Sequence, residues 1–290
     1  MKIRDLYQEN KTLISLEVFP PKSNYPIESV YNTIDELKDL RPDFISVTYG
    51  AGGSSKDRTV EIASKIKNDF NIESLAHLTC ISSTEEEIGQ IMDDLHNHQI
   101  ENVLALRGDL PQGMRREDLP QDYQYAKDLV TKIKSIKEYS IGGACYPEGH
   151  SECESRIQDI KNLKEKVNAG VEFLISQLFF DNELFYRFME DLDLAGINVP
   201  VSAGIMPVLN AGQIYRMQEL TGCSIPLRFK RILEKYEDKP EALKEAGEAY
   251  AIGQIIDLIA WGVDGIHIYT MNKSDTARKI INNIKNIRGF

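Results

Sequence analysis

The chain has 290 residues, 42% of them hydrophobic and 27% charged, and a formal net charge of −11. That balance, with no run of Lys or Arg long enough to track a phosphate backbone, excludes nucleic acid as an expected partner. The polar start MKIRDLYQEN has no apolar signal core and no stretch approaches ~18 apolar residues, so the expectation is a cytoplasmic protein without a membrane span.

Short β-branched apolar runs alternate along the chain with longer amphipathic segments. A predicted strand at Thr12–Phe19 is followed by a helix at Ile27–Leu40, and a strand at Asp43–Tyr49 by a helix at Lys56–Phe70. The pattern repeats with Glu73–Cys80 and Glu85–Asn97, Asn102–Arg107 and Tyr123–Lys137, then Ser140–Tyr146 and Glu152–Ala169. It continues with Val171–Phe179 and Glu183–Leu194, and with Val199–Ile205 before several helical pieces in Ala211–Trp261. It ends with Gly265–Tyr269 and Asp275–Ile287. A helix after each of eight strands predicts an α/β fold, a single (β/α)8 TIM barrel over residues 1–290 with extra helices before the last strand. No central reversal of the pattern favours a doubly wound open sheet. Thr84 with Glu87, and Ser151 with Glu154, have the spacing of helix-starting capping boxes.

Four scattered cysteines, Cys80, Cys145, Cys153 and Cys223, form no C-x-x-C pair and read as reduced thiols. Cys145, Glu148, His150 and Cys153 fall within nine residues, but without the paired spacing of a structural zinc site, so no metal is expected.

Strands buried on both faces should be almost purely apolar, and polar exceptions at their C-terminal ends mark the face where barrels build active sites. Nearly every predicted strand has one. The first, LISLEVFPP, carries Glu17; the second, SVTYGAGGSS, ends in Thr48 and Tyr49; the third, AHLTC, carries His77 and Thr79. The fourth, ALRGDLP, ends in Arg107 and Asp109, the fifth in ACYPEGH, the sixth in SQLFFD with Gln177, and the eighth in HIYTMNK. Singly, each has a plain alternative: Glu17 as a loop cap or partner of an Arg, His77 as a core histidine, Arg107 and Asp109 as a surface ion pair. His96 and His98, at i and i+2, point to different helix faces and read as solvated. Convergence on one mouth is what favours an enzyme. GAGGSS breaks the G-x-G-x-x-G pattern at Ser55, so it is not a dinucleotide loop.

At these residues the chain resembles the methylenetetrahydrofolate reductase family. The matching strings are LEVFPPKS, SVTYGAGG, AHLTC, ALRGDLP, YPEGH, SQLFFD, GIMPV and HIYTMN, in order over nearly the whole chain. The resemblance implies FAD in the barrel mouth and hydride transfer to methylenetetrahydrofolate. It implies that Glu17 is the acid that opens the substrate to its iminium form. Asp109 would lie by both flavin and pterin, Gln177 would bind the pterin, and Lys273 would lie near the anionic folate tail. Flavin contacts would fall to Thr48, Tyr49, Ala51, His77, Arg107, Gly108, Asp109, Tyr125, Tyr146 and His150, and the cofactor's nucleotide end to Asp159, Asn162 and Lys166. Two positions depart from the family pattern. Glu165 stands where some relatives carry a basic residue beside the pyrophosphate, and Ala211 where several have an aromatic that packs on folate and nicotinamide. The electron donor is therefore open between NADH, NADPH and a reduced partner protein, and so is a homo-oligomer. No regulatory domain is expected. The alternatives are a folate-binding methyltransferase barrel without a redox cofactor, which would be colourless where a flavoprotein is yellow, and a non-catalytic subunit, which would have no reason to keep buried Glu17, Asp109 and Gln177.

Overall fold

The computed structural model describes residues 1–9, 11–22, 24–49, 56–111 and 113–288. Eight parallel strands close into a barrel in chain order: β1 (Leu13–Val18), β2 (Phe44–Val47), β3 (Glu73–Thr79), β4 (Asn102–Leu106), β5 (Ser140–Cys145), β6 (Phe173–Ser176), β7 (Val201–Ile205) and β8 (Gly265–Tyr269). β1 pairs with both β2 and β8, which removes every free sheet edge.

The helices are α1 (Ile3–Leu6), α2 (Glu28–Lys38), α3 (Lys56–Asn68), α4 (Glu85–Asn97), α5 (Ala126–Ile136), α6 (Arg156–Ala169) and α7 (Asn182–Ala195). The expected insertion before the last strand is α8 (Ala211–Thr221), α9 (Leu227–Tyr236) and α10 (Pro240–Trp261), and α11 (Ser274–Ile284) follows β8.

Every strand lies inside its predicted span and most are shorter. β6 loses most at its ends, yet the amides of Glu172 and Gln177 still donate to Ile141 and Cys145 carbonyls at 2.8 and 2.7 Å. Pairing thus continues there as single bonds. The capping box at Thr84 and Glu87 is present, with both reciprocal bonds formed. The one expected at Ser151 and Glu154 is not: α6 is capped by Ser155, whose hydroxyl accepts from the Gln158 amide at 3.2 Å. Residues before it are held in a turn, the Cys153 amide donating to the His150 carbonyl at 2.9 Å, so the helix starts later.

The barrel interior changes character along its axis. Its lower part is apolar, built by Leu13, Phe44, Leu75, Leu104, Phe173 and Ile175, and closed from below by Ile3 and Leu6 of α1. This short N-terminal plug is tied in by the Ile3 amide on Asn102 Oδ1 at 2.7 Å and by the Tyr7 hydroxyl beside Ser202 Oγ at 2.8 Å. The main core lies between strands and helices. A second cluster, including Phe180, Met206, Val208 and Phe229, anchors α8–α10.

Helix α10 crosses the loop after β7 so closely that a Cβ on Gly247 would lie 1.9 Å from the Val208 carbonyl oxygen. Backbone cannot yield as a side chain can. Gly247→Ala is expected to cost about 1–3 kcal/mol by overpacking, read as a lowered denaturant midpoint. An unchanged midpoint contradicts this packing.

Candidate active site

Glu17 is the fifth residue of β1, in register with Ser46 of β2 and Tyr269, the last residue of β8. It therefore sits toward the C-terminal end of the barrel, inside the wall. Its Oε2 lies 3.4 Å from His267 Nε2 and 3.6 Å from His77 Nε2, and its side chain is 15% exposed. No Arg pairs with it among the described contacts, and the loop-cap alternative gives way to a carboxyl group between two imidazoles. Burial pushes the His77 imidazole down to about 4, outweighing the pull of Glu17, with His267 pushing the same way. His77 is thus neutral near pH 7. The Tyr269 phenol donates to the Ser176 carbonyl at 2.8 Å, and burial holds its pKa well above the ordinary value.

A cleft of about 450 Å³ runs over the ends of β4 and β5 and along α6. Seven of the sequence-predicted cofactor residues line it: Arg107, Tyr125, Tyr146, His150, Asp159, Asn162 and Lys166. Tyr146 and His150 meet edge to face with centroids 4.6 Å apart. The His150 amide donates to Asp159 Oδ2 at 3.2 Å, and the Glu152 amide donates to His150 Nδ1 at 3.1 Å, leaving the imidazole proton on Nε2. Burial pushes the Asp159 carboxyl up and the Tyr146 phenol up to about 12. The Lys166 amine donates to the Ala144 carbonyl, and burial lowers its pKa. Asn162 Oδ1 accepts from Gln158 Nε2 at 2.9 Å.

Arg107 does not pair with Asp109. Its guanidinium makes a forked pair with Glu152, at 2.5 and 2.8 Å, because the loop after β5 brings that carboxylate over it. Asp109 is exposed. Glu165 pairs with Lys127 at 2.7 Å on the rim of the same cleft, so a cation does reach this rim, from α5.

Thr48 is half-buried just past β2, its amide donating to the Val18 carbonyl at 3.0 Å and its own carbonyl accepting from Thr59 Oγ1 at 3.1 Å. Tyr49 packs against the main core. Ala51 and the rest of 50–55 lie outside the described residues. Gly108 has φ +86°, and a Cβ there would lie 2.9 Å from Thr79 Cβ, so both conformation and space favour glycine. Gln177 is half-buried, its Oε1 accepting from the Leu178 amide at 2.9 Å. Lys273 is exposed at the N-cap of α11. Ala211 opens α8 and packs against the second cluster.

The methylenetetrahydrofolate reductase family model matches residues 2–285. The chain belongs to that family. It is 38% identical over 267 residues to 5,10-methylenetetrahydrofolate reductase of Escherichia coli K12, covering 92% of this chain and 88% of that one. It is 35% identical over 295 residues to methylenetetrahydrofolate reductase (NADH) 1 of Arabidopsis thaliana, covering 98% of this chain and 50% of that longer one. In fold it is similar to an uncharacterized Clostridium thermocellum protein that binds two copies of 5-methyl-5,6,7,8-tetrahydrofolic acid, with TM-score 0.69 at 15% identity over 99% of each chain. Family membership makes this chain an enzyme, and the carboxyl-bearing mouth is where a family chemistry has groups to work with.

Sequence reasoning gave no role to Ser15, His267, Tyr269 or Gln213. Ser15 precedes Glu17 by two, the spacing of one strand face, and that signal was available. His267 and Tyr269 gain their meaning only from the β1–β8 closure. Gln213 Oε1 accepts from the Leu209 amide at 3.0 Å while its Nε2 is buried without a hydrogen-bond partner, a feature invisible before folding.

The His77 imidazole has its folded pKa, about 4, below its ordinary 6.5. The unfolded chain therefore takes up a proton below pH 6.5 that the folded chain refuses. This group weakens folding as pH falls from about 6.5 to about 4, by about 3 kcal/mol at most, and has no effect above that window. His77→Gln is expected to flatten urea-measured stability across this window. A slope identical to wild type would contradict a neutral, buried His77.

Proposed function

We propose that this chain reduces 5,10-methylenetetrahydrofolate to 5-methyltetrahydrofolate, with FAD as its redox group and Glu17 as the acid. The observation that carries the reading is the placement of Glu17, inside the wall of the same barrel end that holds the β4–β5 cleft.

The residues present suit a flavin nucleotide. The cleft volume falls within the roughly 300–1,000 Å³ of ligand pockets, and its lining includes aromatic Tyr146, apolar Leu163 and a polar end at Asp159, Asn162 and Lys166. In this reading Thr48, Tyr49, Ala51, His77, Arg107, Gly108 and Asp109 hold the flavin ring side, Tyr125, Tyr146 and His150 flank it, and Asp159, Asn162 and Lys166 hold the nucleotide end. Arg107 and Lys127 bring positive charge, each already shared with a glutamate that solvent or cofactor can displace. FAD, once bound and reduced by the electron donor, would supply the hydride that turns the substrate's methylene carbon into a methyl group.

The protein's own task is to open the substrate. Glu17 gives its proton to an amine nitrogen of the bridged ring, and the bond from that nitrogen to the methylene carbon breaks with its electron pair staying on nitrogen. Asp109 accepts hydrogen bonds from N–H groups along the pterin edge, and the Gln177 amide both donates and accepts there. Lys273 meets the carboxylates of the folate tail. The electron donor is a nicotinamide nucleotide or a reduced partner protein. Ala211 offers no ring face for nicotinamide, a contact worth about 0.5–1.5 kcal/mol where it is made.

Denaturing the purified protein is expected to release FAD in near-stoichiometric amount, and failure to bind flavin on reconstitution with excess FAD overturns the assignment. In Glu17→Gln, flavin reduction by the donor is expected to persist while oxidation by methylenetetrahydrofolate slows about 10²–10⁴-fold. An unimpaired folate half-reaction removes Glu17 from the mechanism.

A further inference from the structure

Two residues before Glu17 on the same strand, Ser15 is fully buried and stands in register with His267. Its Oγ lies 2.7 Å from His267 Nδ1 and 3.4 Å from the Ile266 carbonyl oxygen. The imidazole cannot swing away. It stacks on Phe44 with centroids 6.4 Å apart and meets the edge of Tyr269 at 5.2 Å. Its other nitrogen, Nε2, faces Glu17 Oε2. A line of three side chains thus runs from the closed interior to the acid.

The distances decide the direction of the hydrogen bonds. Ser15 has one proton to give and two acceptors within reach. The nitrogen at 2.7 Å makes the short bond, while the carbonyl at 3.4 Å sits at the long end of hydrogen bonding, as the Nε2 to Glu17 Oε2 approach of 3.4 Å also does. If Nδ1 carried the imidazole proton, the serine oxygen would accept it and the hydroxyl's own proton would be left with only the long carbonyl contact in a dry interior, which costs free energy. The serine therefore donates to Nδ1, and the imidazole proton stands on Nε2, aimed at Glu17 Oε2.

From this we propose that Ser15 and His267 are positioning residues for Glu17: Ser15 selects the Nε2–H tautomer of His267, which holds Oε2 and leaves Oε1 as the oxygen that carries and delivers the proton. The proposal rests on Glu17 being the acid, and it adds which oxygen acts and why. With Nε2–H on Oε2, the carboxylate left after proton transfer keeps a donor. Without it, an imidazole lone pair would face the carboxyl group and draw its proton inward, away from the substrate. The other groups facing Glu17 do not replace this donor. His77 from β3 is farther, at 3.6 Å, Tyr269 from β8 spends its hydroxyl on the Ser176 carbonyl, and Ser46 Oγ from β2 is buried without a hydrogen bond to Glu17. The Thr270 hydroxyl donates to the Glu17 backbone carbonyl at 2.6 Å and only fixes the strand end.

The direct test is nitrogen-15 NMR of the holoenzyme, labelled on histidine. The chain has five histidines, and the His267 signals are assigned by their loss in His267→Gln. Near neutral pH the expected result is the Nε2–H tautomer, and the Nδ1–H tautomer overturns the proposal. Stopped-flow folate half-reactions across pH supply the functional arm. Ser15→Ala is expected to slow the step about 5- to 100-fold, as when one buried donor loses its partner, with little change in the substrate concentration at half-saturation. It is also expected to move the upper limb of the pH profile upward. Ser15→Thr, which keeps the hydroxyl, is expected to restore rate and profile. A Ser15→Ala profile superimposable on wild type, in a protein whose Glu17→Gln variant is impaired, overturns the positioning role and leaves Glu17 as the acid. An unimpaired Glu17→Gln overturns the underlying reading instead, while the NMR result still reports the tautomer.

Discussion

The carboxyl group of Glu17 is mostly shielded from water and stands between two imidazoles, so the groups that reach it come from the barrel wall. Closure of the barrel sets that condition, because joining β1 to β8 puts Glu17 behind Tyr269 and beside His267. The lower barrel, filled by Leu13, Phe44, Leu75, Leu104 and Phe173 and plugged by α1, keeps solvent from entering underneath. Proton exchange at Glu17 is thereby confined to the upper face. An acid in this position needs fixed donors rather than water to settle its charge, and His267 is placed to be one.

The cleft follows a different electrostatic rule. Its cations, Arg107 and Lys127, are half-exposed to exposed and paired with Glu152 and Glu165. Pairs this accessible to water are weak, so an anionic ligand displaces either glutamate at small cost. Lys166 is the opposite case, a buried amine with a lowered pKa whose printed partner is the Ala144 carbonyl. The contrast divides the cleft into an adaptable rim and a fixed inner end.

The barrel was legible in the sequence because its signal is repetition. Eight apolar runs, each followed by an amphipathic helix, leave few other ways to bury the strands. The polar residues at strand ends were legible for the same reason, each being an exception to an apolar rule. What stayed hidden depends on distant closure. Nothing local pairs Arg107 with Glu152 across 45 residues, or Ser15 with His267 across 252. The Ser151–Glu154 box failed because capping spacing ignores tertiary pull: the intervening turn holds the backbone out of helix until Ser155. Ala51 and Gly108 were named on family resemblance alone, since their types carry no spacing rule.

In the proposed reaction, electrons pass through a protein-bound flavin to a folate carbon. The most direct measurement is anaerobic: reduce the purified protein, add 5,10-methylenetetrahydrofolate, and follow the flavin absorbance together with the folate product. The expected result is return of the oxidised flavin spectrum with one equivalent of 5-methyltetrahydrofolate formed per flavin. A spectrum that stays reduced while the substrate is recovered unchanged would contradict it.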